Sequence, residues 1–310
     1  MTHSHPILDN TSIKNQRLMR LSTYITVAGV SSIILAKTFG WFITESVTML
    51  ASLVDSLLDI CVSIMNLLAV HYALQPPDHE HRFGHGKVED IAVFSQAVFF
   101  ALSGVFVIYA AIQRFFSPNE QVISAGKFGV EILLISIVIT IGIIAFQRYV
   151  MRRAKSNVIE ADSLHYFVDF LTNGCAILGI IITSYWELPI FDNITAILIS
   201  IYIIYNAMKL FRKAFNNLMD HELDEDQRQI IIKVIKSNNN ILGFHDLKTR
   251  YAGAKPFIQF HLELDGNMSL KCAHNISIEI EQALLVKFPN AEIIIHQDPE
   301  GIVEVVTYTD

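Results

Sequence analysis

The chain has 310 residues, of which 52% are apolar and only 17% are charged. Soluble domains carry about 25% charged residues, so this composition excludes a disordered chain and indicates a membrane protein. Residues 1–214 hold 15 basic and 15 acidic side chains, whereas residues 215–310 hold 8 and 15, so the net charge of −7 lies in the second part. That acidic balance argues against nucleic-acid binding, which requires a basic surface.

Six stretches are long and apolar enough for a helix to cross a bilayer, which takes about 20 apolar residues. They cover residues 21–43, 47–74, 91–115, 128–150, 165–185 and 190–210. Basic residues collect at one set of helix ends, and the positive-inside rule assigns that side to the cytoplasm. We therefore predict a cytoplasmic N-terminal tail over 1–20, an all-α six-helix transmembrane domain over 21–214, and two cytoplasmic termini.

The polar segment over 215–310 predicts a separate cytoplasmic domain. Its predicted elements are a helix over 223–237, strands over 245–251 and 256–264, a helix over 269–288 and a strand over 291–297. Ser269 is the expected N-cap of the second of these helices. The order α-β-β-α-β is typical of a small open-faced α/β domain.

Two pairs of ionisable residues interrupt the predicted spans. Asp55 and Asp59 are four residues apart, so both carboxylates lie on one helix face. Each aspartate costs about 2.5–3.5 kcal/mol at the centre of a spanning helix, which favours a functional role. His165 and Asp169 repeat this spacing, and the four side chains together would suit tetrahedral zinc. The alternative for His165 is a polar residue at headgroup depth, and Lys37 is expected to snorkel outward.

The loop between the second and third spans, QPPDHEHRFGHGKVED, is rich in potential metal ligands. These are Asp78, His79, Glu80, His81 and His85. Such a density of imidazoles and carboxylates suggests a metal site. The alternative is a solvated loop that binds metal adventitiously.

The C-terminal domain carries four histidines and one aspartate at predicted strand or helix positions. They are His245, His261, His274, His296 and Asp298. Strand ends and a helix start can meet at one edge of the domain, where these side chains would bind zinc. The two oxygens of Asp298 could bridge two ions. His221, beside the last span, is expected to be structural.

Taken together, these motifs resemble those of the cation diffusion facilitators, and among them the bacterial zinc and ferrous-iron exporters. The motifs are SLVDSLLD, QPPDHEHRFGHGK, ADSLHYFVD, FHDLKTR, FIQFHLEL and IIIHQDP, which extend over about residues 48–298. The resemblance implies six transmembrane helices, a metallochaperone-like, ferredoxin-like cytoplasmic domain, a homodimer and a place in the bacterial inner membrane.

By motif match, the resemblance also assigns site residues. It implies a transport site of Asp55, Asp59, His165 and Asp169; a loop site of Asp78, His81 and His85; a cytoplasmic binuclear site of His245, His261, His274, His296 and Asp298; and a salt bridge between Lys87 and Asp220 that joins the two domains. The participation of His79 and Glu80 in the loop site is left open.

From these sites we expect a proton-coupled antiporter that exports a divalent cation by alternating access, because protons and metal compete for the same ligands. His165 favours Zn²⁺ as the cargo, with Cd²⁺ as a mimic and Fe²⁺ still open. The alternatives are an Fe²⁺-selective exporter, a channel, a membrane metal sensor and an intramembrane metalloenzyme. An enzyme is not expected, because no HExxH motif is present and the ion would use all four candidate ligands.

Overall fold

The computed structural model describes residues 10–44, 47–116, 127–154, 156–186 and 190–301. The chain divides into two compact units, Met1–Phe215 and Asn216–Asp310. The first unit contains long apolar helices, and the second contains a small sheet covered by two helices. Each unit has its own hydrophobic core.

The helices of the first unit follow the predicted spans in chain order. They are α1 (Asn10–Thr44), α2 (Val47–Ala73), α3 (Lys87–Phe116), α4 (Lys127–Met151), α5 (Asn157–Trp186) and α6 (Ile190–Leu218). Among the described residues, four stretches are long and apolar enough to cross a membrane. These are Ile13–Ile43, Ser52–Ala73, Lys87–Gln113 and Leu134–Met151. The fifth and sixth predicted spans lie within α5 and α6.

Helix packing in the first unit buries one side of each helix and leaves large apolar side chains on the other. α1 packs against α2 and α4, and α5 packs against α4, α3 and α2. α1 approaches α4 closely at Gly29, where an added Cβ would lie 2.9 Å from Cδ1 at the end of the Ile143 side chain. Leu35, Phe106 and Val138 are 70%, 69% and 68% exposed. Such surfaces suit contact with lipid.

The second unit has the predicted order α-β-β-α-β. Its elements are α7 (Glu225–Lys236), β1 (Gly243–Ala252), β2 (Lys255–Leu264), α8 (Leu270–Lys287) and β3 (Glu292–Pro299). The sheet order is β1-β2-β3, in which β1 and β2 are antiparallel and β2 and β3 are parallel. The predicted N-cap is confirmed, since the Ser269 hydroxyl accepts a hydrogen bond from the backbone N–H of Cys272.

The core of the second unit explains which face of the sheet is available for ligands. Ile258, Phe260 and Leu262 alternate along β2 and are fully buried with Ile235 of α7 and Leu284 of α8. Because successive strand residues point to opposite faces, the residues between them lie on the other face of the sheet. That second face carries His245, His261 and His296 of the predicted cytoplasmic site.

Candidate metal sites

Three of the four predicted transport-site residues meet between α2 and α5. Asp59, His165 and Asp169 place one ligand atom each within 4.8 Å of one another. His165 Nε2 lies 3.2 Å from Asp59 Oδ1 and 3.5 Å from Asp169 Oδ2. The imidazole side chain is 10% exposed and the two carboxylate side chains are 27% and 29% exposed. One largely buried nitrogen therefore faces two partly buried carboxylates, an arrangement that can hold a dication.

Neighbouring aromatic side chains fix the orientation of the His165 ring. Phe100 of α3 stacks on it with ring centroids 5.0 Å apart and an interplanar angle of 11°. The hydroxyl groups of Tyr166 and Ser63 are 2.6 Å apart, which joins α5 to α2 beside the site. A ligand that is held in one orientation loses little freedom when it binds an ion, so the site is preorganised.

Asp55 occupies a different position from the other predicted transport ligands. It lies one helical turn before Asp59 on α2 and its side chain is exposed. The group of three close ligands does not include it. Its role as a fourth ligand stays a prediction.

A buried polar network lies one turn before His165 on α5, and the sequence analysis did not identify it. Asp162 is 3% exposed and accepts hydrogen bonds from Asn66 Nδ2 at 2.8 Å and Gln147 Nε2 at 2.6 Å. Gln147 also contacts Thr26 Oγ1 at 3.1 Å. The network connects α1, α2, α4 and α5 beside the candidate site. The sequence could have indicated Asp162 as a candidate residue, because it belongs to the same ADSLHYFVD motif as His165 and Asp169.

The structure corrects the expectation for Lys37. This side chain does not snorkel: the residue is 7% exposed and its ammonium donates hydrogen bonds to Ser56 Oγ at 2.7 Å and to the Ser52 carbonyl at 3.1 Å. The physical reason is its position on the face of α1 that packs against α2.

The loop residues Asp78, His81 and His85 form a second group with ligand atoms within 4.8 Å. Asp78 Oδ1 lies 3.3 Å from His81 Nδ1, and Asp78 Oδ2 lies 3.2 Å from His85 Nε2. The backbone N–H groups of His81 and Glu80 donate hydrogen bonds to Asp78, chiefly from His81, and they lower its pKa. His79 lies apart from this group, with Nδ1 3.3 Å from the Arg82 guanidinium.

Three histidines of the cytoplasmic unit form a row across the sheet. His245 of β1 pairs with His261 of β2, which pairs with His296 of β3. Asp298 lies beside the row, with Oδ2 2.8 Å from His261 Nδ1 and 3.5 Å from His245 Nε2. Its other oxygen, Oδ1, lies 3.0 Å from His296 Nε2. Each oxygen of one carboxylate thus faces different imidazoles, so the carboxylate and the row could hold metal.

Two further carboxylates border this row, and the sequence analysis missed both. Glu263 Oε1 lies 3.1 Å from His245 Nδ1, and Asp246 Oδ2 lies 3.8 Å from His261 Nε2. Glu263 follows His261 by two residues, so strand alternation alone could have identified it. Asp246 has a φ of 52° at an irregularity in β1, which the sequence does not signal. His274 lies in the first turns of α8 and is exposed.

The two residues of the predicted salt bridge belong to different units. Lys87 is the first residue of α3. Asp220 has a φ of 56° and forms an ion pair with Arg250 of β1 at 3.0 Å. The Lys87–Asp220 salt bridge stays a prediction.

Comparison with known proteins decides the family. The cation efflux transmembrane domain matches residues 23–219, and the cytoplasmic domain of cation efflux proteins matches residues 223–300. The chain belongs to the cation efflux family. The predicted resemblance to the cation diffusion facilitators is therefore confirmed. As a member, the chain is an integral membrane protein that exports divalent metal cations.

Similar proteins extend over nearly the whole chain. Protein p34 of Rickettsia prowazekii (strain Madrid E) is 45% identical over 297 residues, which are 96% of this chain and 97% of that protein. The cation-efflux pump FieF of Klebsiella pneumoniae is 41% identical over 288 residues, 93% of this chain and 95% of the pump. The metal-bound C-terminal domain of the CzcD transporter from Thermotoga maritima is 31% identical and covers 26% of this chain and 100% of that domain, with a TM-score of 0.25.

Proposed function

We propose that this protein exports Zn²⁺ from the cytoplasm in exchange for protons, as a homodimer in the bacterial inner membrane. The observation that carries the proposal is the group of Asp59, His165 and Asp169 between two membrane helices. Carboxylates at this depth are costly unless a cation or water accompanies them. A transported dication would supply that compensation.

The geometry around His165 suggests how metal and protons would be exchanged. Its Nε2 lies between the carboxylates of Asp59 and Asp169, at 3.2 Å and 3.5 Å. A metal ion needs this nitrogen deprotonated, whereas a proton on it would donate a hydrogen bond to a carboxylate. The two ligands therefore compete for one position. Rocking of helix groups that opens the site to each side in turn would convert this competition into transport.

The donor set favours zinc over harder cations. Zinc accepts nitrogen together with carboxylate oxygen in a tetrahedral site, and His165 supplies the nitrogen. We propose Asp55, one turn from Asp59, as the fourth ligand. Cd²⁺ would mimic zinc, and an Fe²⁺ exporter with the same ligands is the second candidate.

The other two groups are proposed as sites for resident zinc. Asp78, His81 and His85 would hold one ion in the loop. His245, His261, His296 and Asp298, with His274 by motif match, would hold two ions in the cytoplasmic unit. Zinc bound in the cytoplasmic unit would help to stabilise the homodimer. A Lys87–Asp220 salt bridge would transmit this stabilisation to the membrane helices.

Flux measurements in liposomes test the proposed function. Purified protein in sealed vesicles that contain a zinc-sensitive dye should move Zn²⁺ when a pH gradient is imposed, and collapse of the gradient with an ionophore should stop it. Asp169→Asn should abolish this flux, whereas Lys209→Gln, which changes an exposed residue of α6, should not. Zinc flux that follows the metal gradient alone would instead indicate a channel.

A further inference from the structure

The buried face of α1 contains one charged residue among the described positions. Thr23, Val30 and Lys37 are seven residues apart and are 4%, 2% and 7% exposed. Because seven residues complete nearly two helical turns, they lie in one line along the helix. This line faces the helix bundle, so Lys37 places an ammonium group where an apolar side chain would be expected.

The hydrogen bonds of Lys37 place its charge beside the transport-site helix. The ammonium donates to Ser56 Oγ at 2.7 Å and to the Ser52 carbonyl at 3.1 Å. Asp55 and Asp59 follow these two serines by three residues each, so they are neighbours of the serines on the surface of α2. The ammonium accordingly interacts electrostatically with Asp59 and Asp55 of α2, and also with Asp169 of α5.

One dication balances the charges that interact with Lys37 when every carboxylate among them is ionised. Three carboxylates interact with one ammonium, so the group carries two negative charges when His165 is neutral. One divalent cation therefore neutralises it. Without the ammonium, a bound dication would leave a negative charge in a setting of low dielectric, where uncompensated charge is costly.

We propose that Lys37 is a specificity-determining residue of the transport site. Its fixed positive charge sets the net charge of the site so that one dication neutralises it, and it lowers the affinity of the site for that dication. The inference rests on the proposed transport function. Repulsion between the ammonium and the bound metal raises the dissociation constant and so favours release. Lys37 thereby limits the affinity of the site so that the ion can leave at each turnover.

The competing explanation is that Lys37 only joins α1 to α2 through its hydrogen bonds. Three variants separate the two roles. Lys37→Gln removes the charge and keeps an amide donor for Ser56, Lys37→Arg keeps the charge, and Lys209→Gln makes the same chemical change at an exposed position of α6. Initial rates of Zn²⁺ flux in proteoliposomes, measured over a range of zinc concentrations under a fixed pH gradient, give KM and kcat for each.

Under this proposal, Lys37→Gln lowers KM about tenfold or more and lowers kcat, because the ion binds more tightly and leaves more slowly. Lys37→Arg and Lys209→Gln keep both parameters within about twofold of the unmodified protein. An unchanged or raised KM in Lys37→Gln overturns the proposal. Equal effects of Gln and Arg also overturn it, since they indicate a purely structural role.

A binding measurement keeps the test decisive if Lys37→Gln transports poorly. Zinc titration of the detergent-purified, monodisperse variant should give a dissociation constant about tenfold lower than that of the unmodified protein. A constant that is equal or higher overturns the proposal. Absence of zinc flux in the unmodified protein would refute the transport function itself, a result distinct from either outcome for Lys37.

Discussion

Replacement of Asp59 by asparagine removes one negative charge from the transport site and keeps the shape of the side chain. Asp59 Oδ1 lies 3.2 Å from His165 Nε2, so an ion bound to that nitrogen at about 2.0–2.1 Å lies within about 4 Å of the carboxylate. Two unit charges at about 4 Å interact by about 4 kcal/mol at an effective dielectric constant of about 20.

A dication doubles that attraction, and the cost of desolvating the carboxylate offsets part of it. We therefore expect a loss of about 4 kcal/mol, which raises the zinc dissociation constant about a thousandfold. Asp55→Asn makes the same change at the proposed fourth ligand, one turn away on the same helix face. Its side chain is exposed and lies outside the group of three close ligands, so its loss should be smaller than that of Asp59→Asn.

Isothermal titration calorimetry of the full chain in detergent can measure both constants. The loop and cytoplasmic sites are first disabled by Asp78→Ala and Asp298→Ala, so that only the membrane site remains. A larger loss for Asp59→Asn than for Asp55→Asn supports the arrangement between α2 and α5. Equal losses, or no loss for Asp59→Asn, would refute this reasoning.

Three further predictions concern the other parts of the chain. Phe260→Ala should destabilise the cytoplasmic unit by about 3–5 kcal/mol, since Phe260 is fully buried, and denaturant unfolding would measure this. Zinc should raise the thermal midpoint of the cytoplasmic unit, a chelator should reverse this rise, and Asp298→Ala should abolish it. The Asp78 carboxylate has a lowered pKa, so its turn stays intact until the pH falls below its ordinary value of 3.8. The turn should therefore persist as the pH is lowered from 7 to 5, and loss of the hydrogen-bonded backbone amide signals of Glu80 and His81 over this range would contradict this.

The order of the elements follows from the sequence, whereas the register between them does not. Apolar length predicts the positions of α1 to α6, and Ser269 identifies the start of α8. The alignment of His245, His261 and His296 depends on strand pairing and on the irregularity at Asp246. No local pattern in the sequence specifies that pairing.

The burial of Lys37 and of Asp162 was not predicted, because the position of a residue along a span does not determine which face it occupies. Lys37 lies near the end of the first predicted span, which favours snorkelling, yet the seven-residue line through Val30 places it in the bundle. Asp162 precedes the fifth predicted span, which starts at 165, whereas α5 already begins at Asn157. Its burial arises from packing against Asn66 and Gln147, which are distant in sequence.

The central claim is that a dication binds between α2 and α5. Crystals grown with Zn²⁺ and measured at the zinc absorption edge test it most directly, because anomalous scattering locates the metal without reference to any ligand. We predict a peak at about 2.0–2.2 Å from His165 Nε2 and from carboxylate oxygens of Asp59 and Asp169. Peaks at the cytoplasmic histidines with none beside His165 would contradict the account.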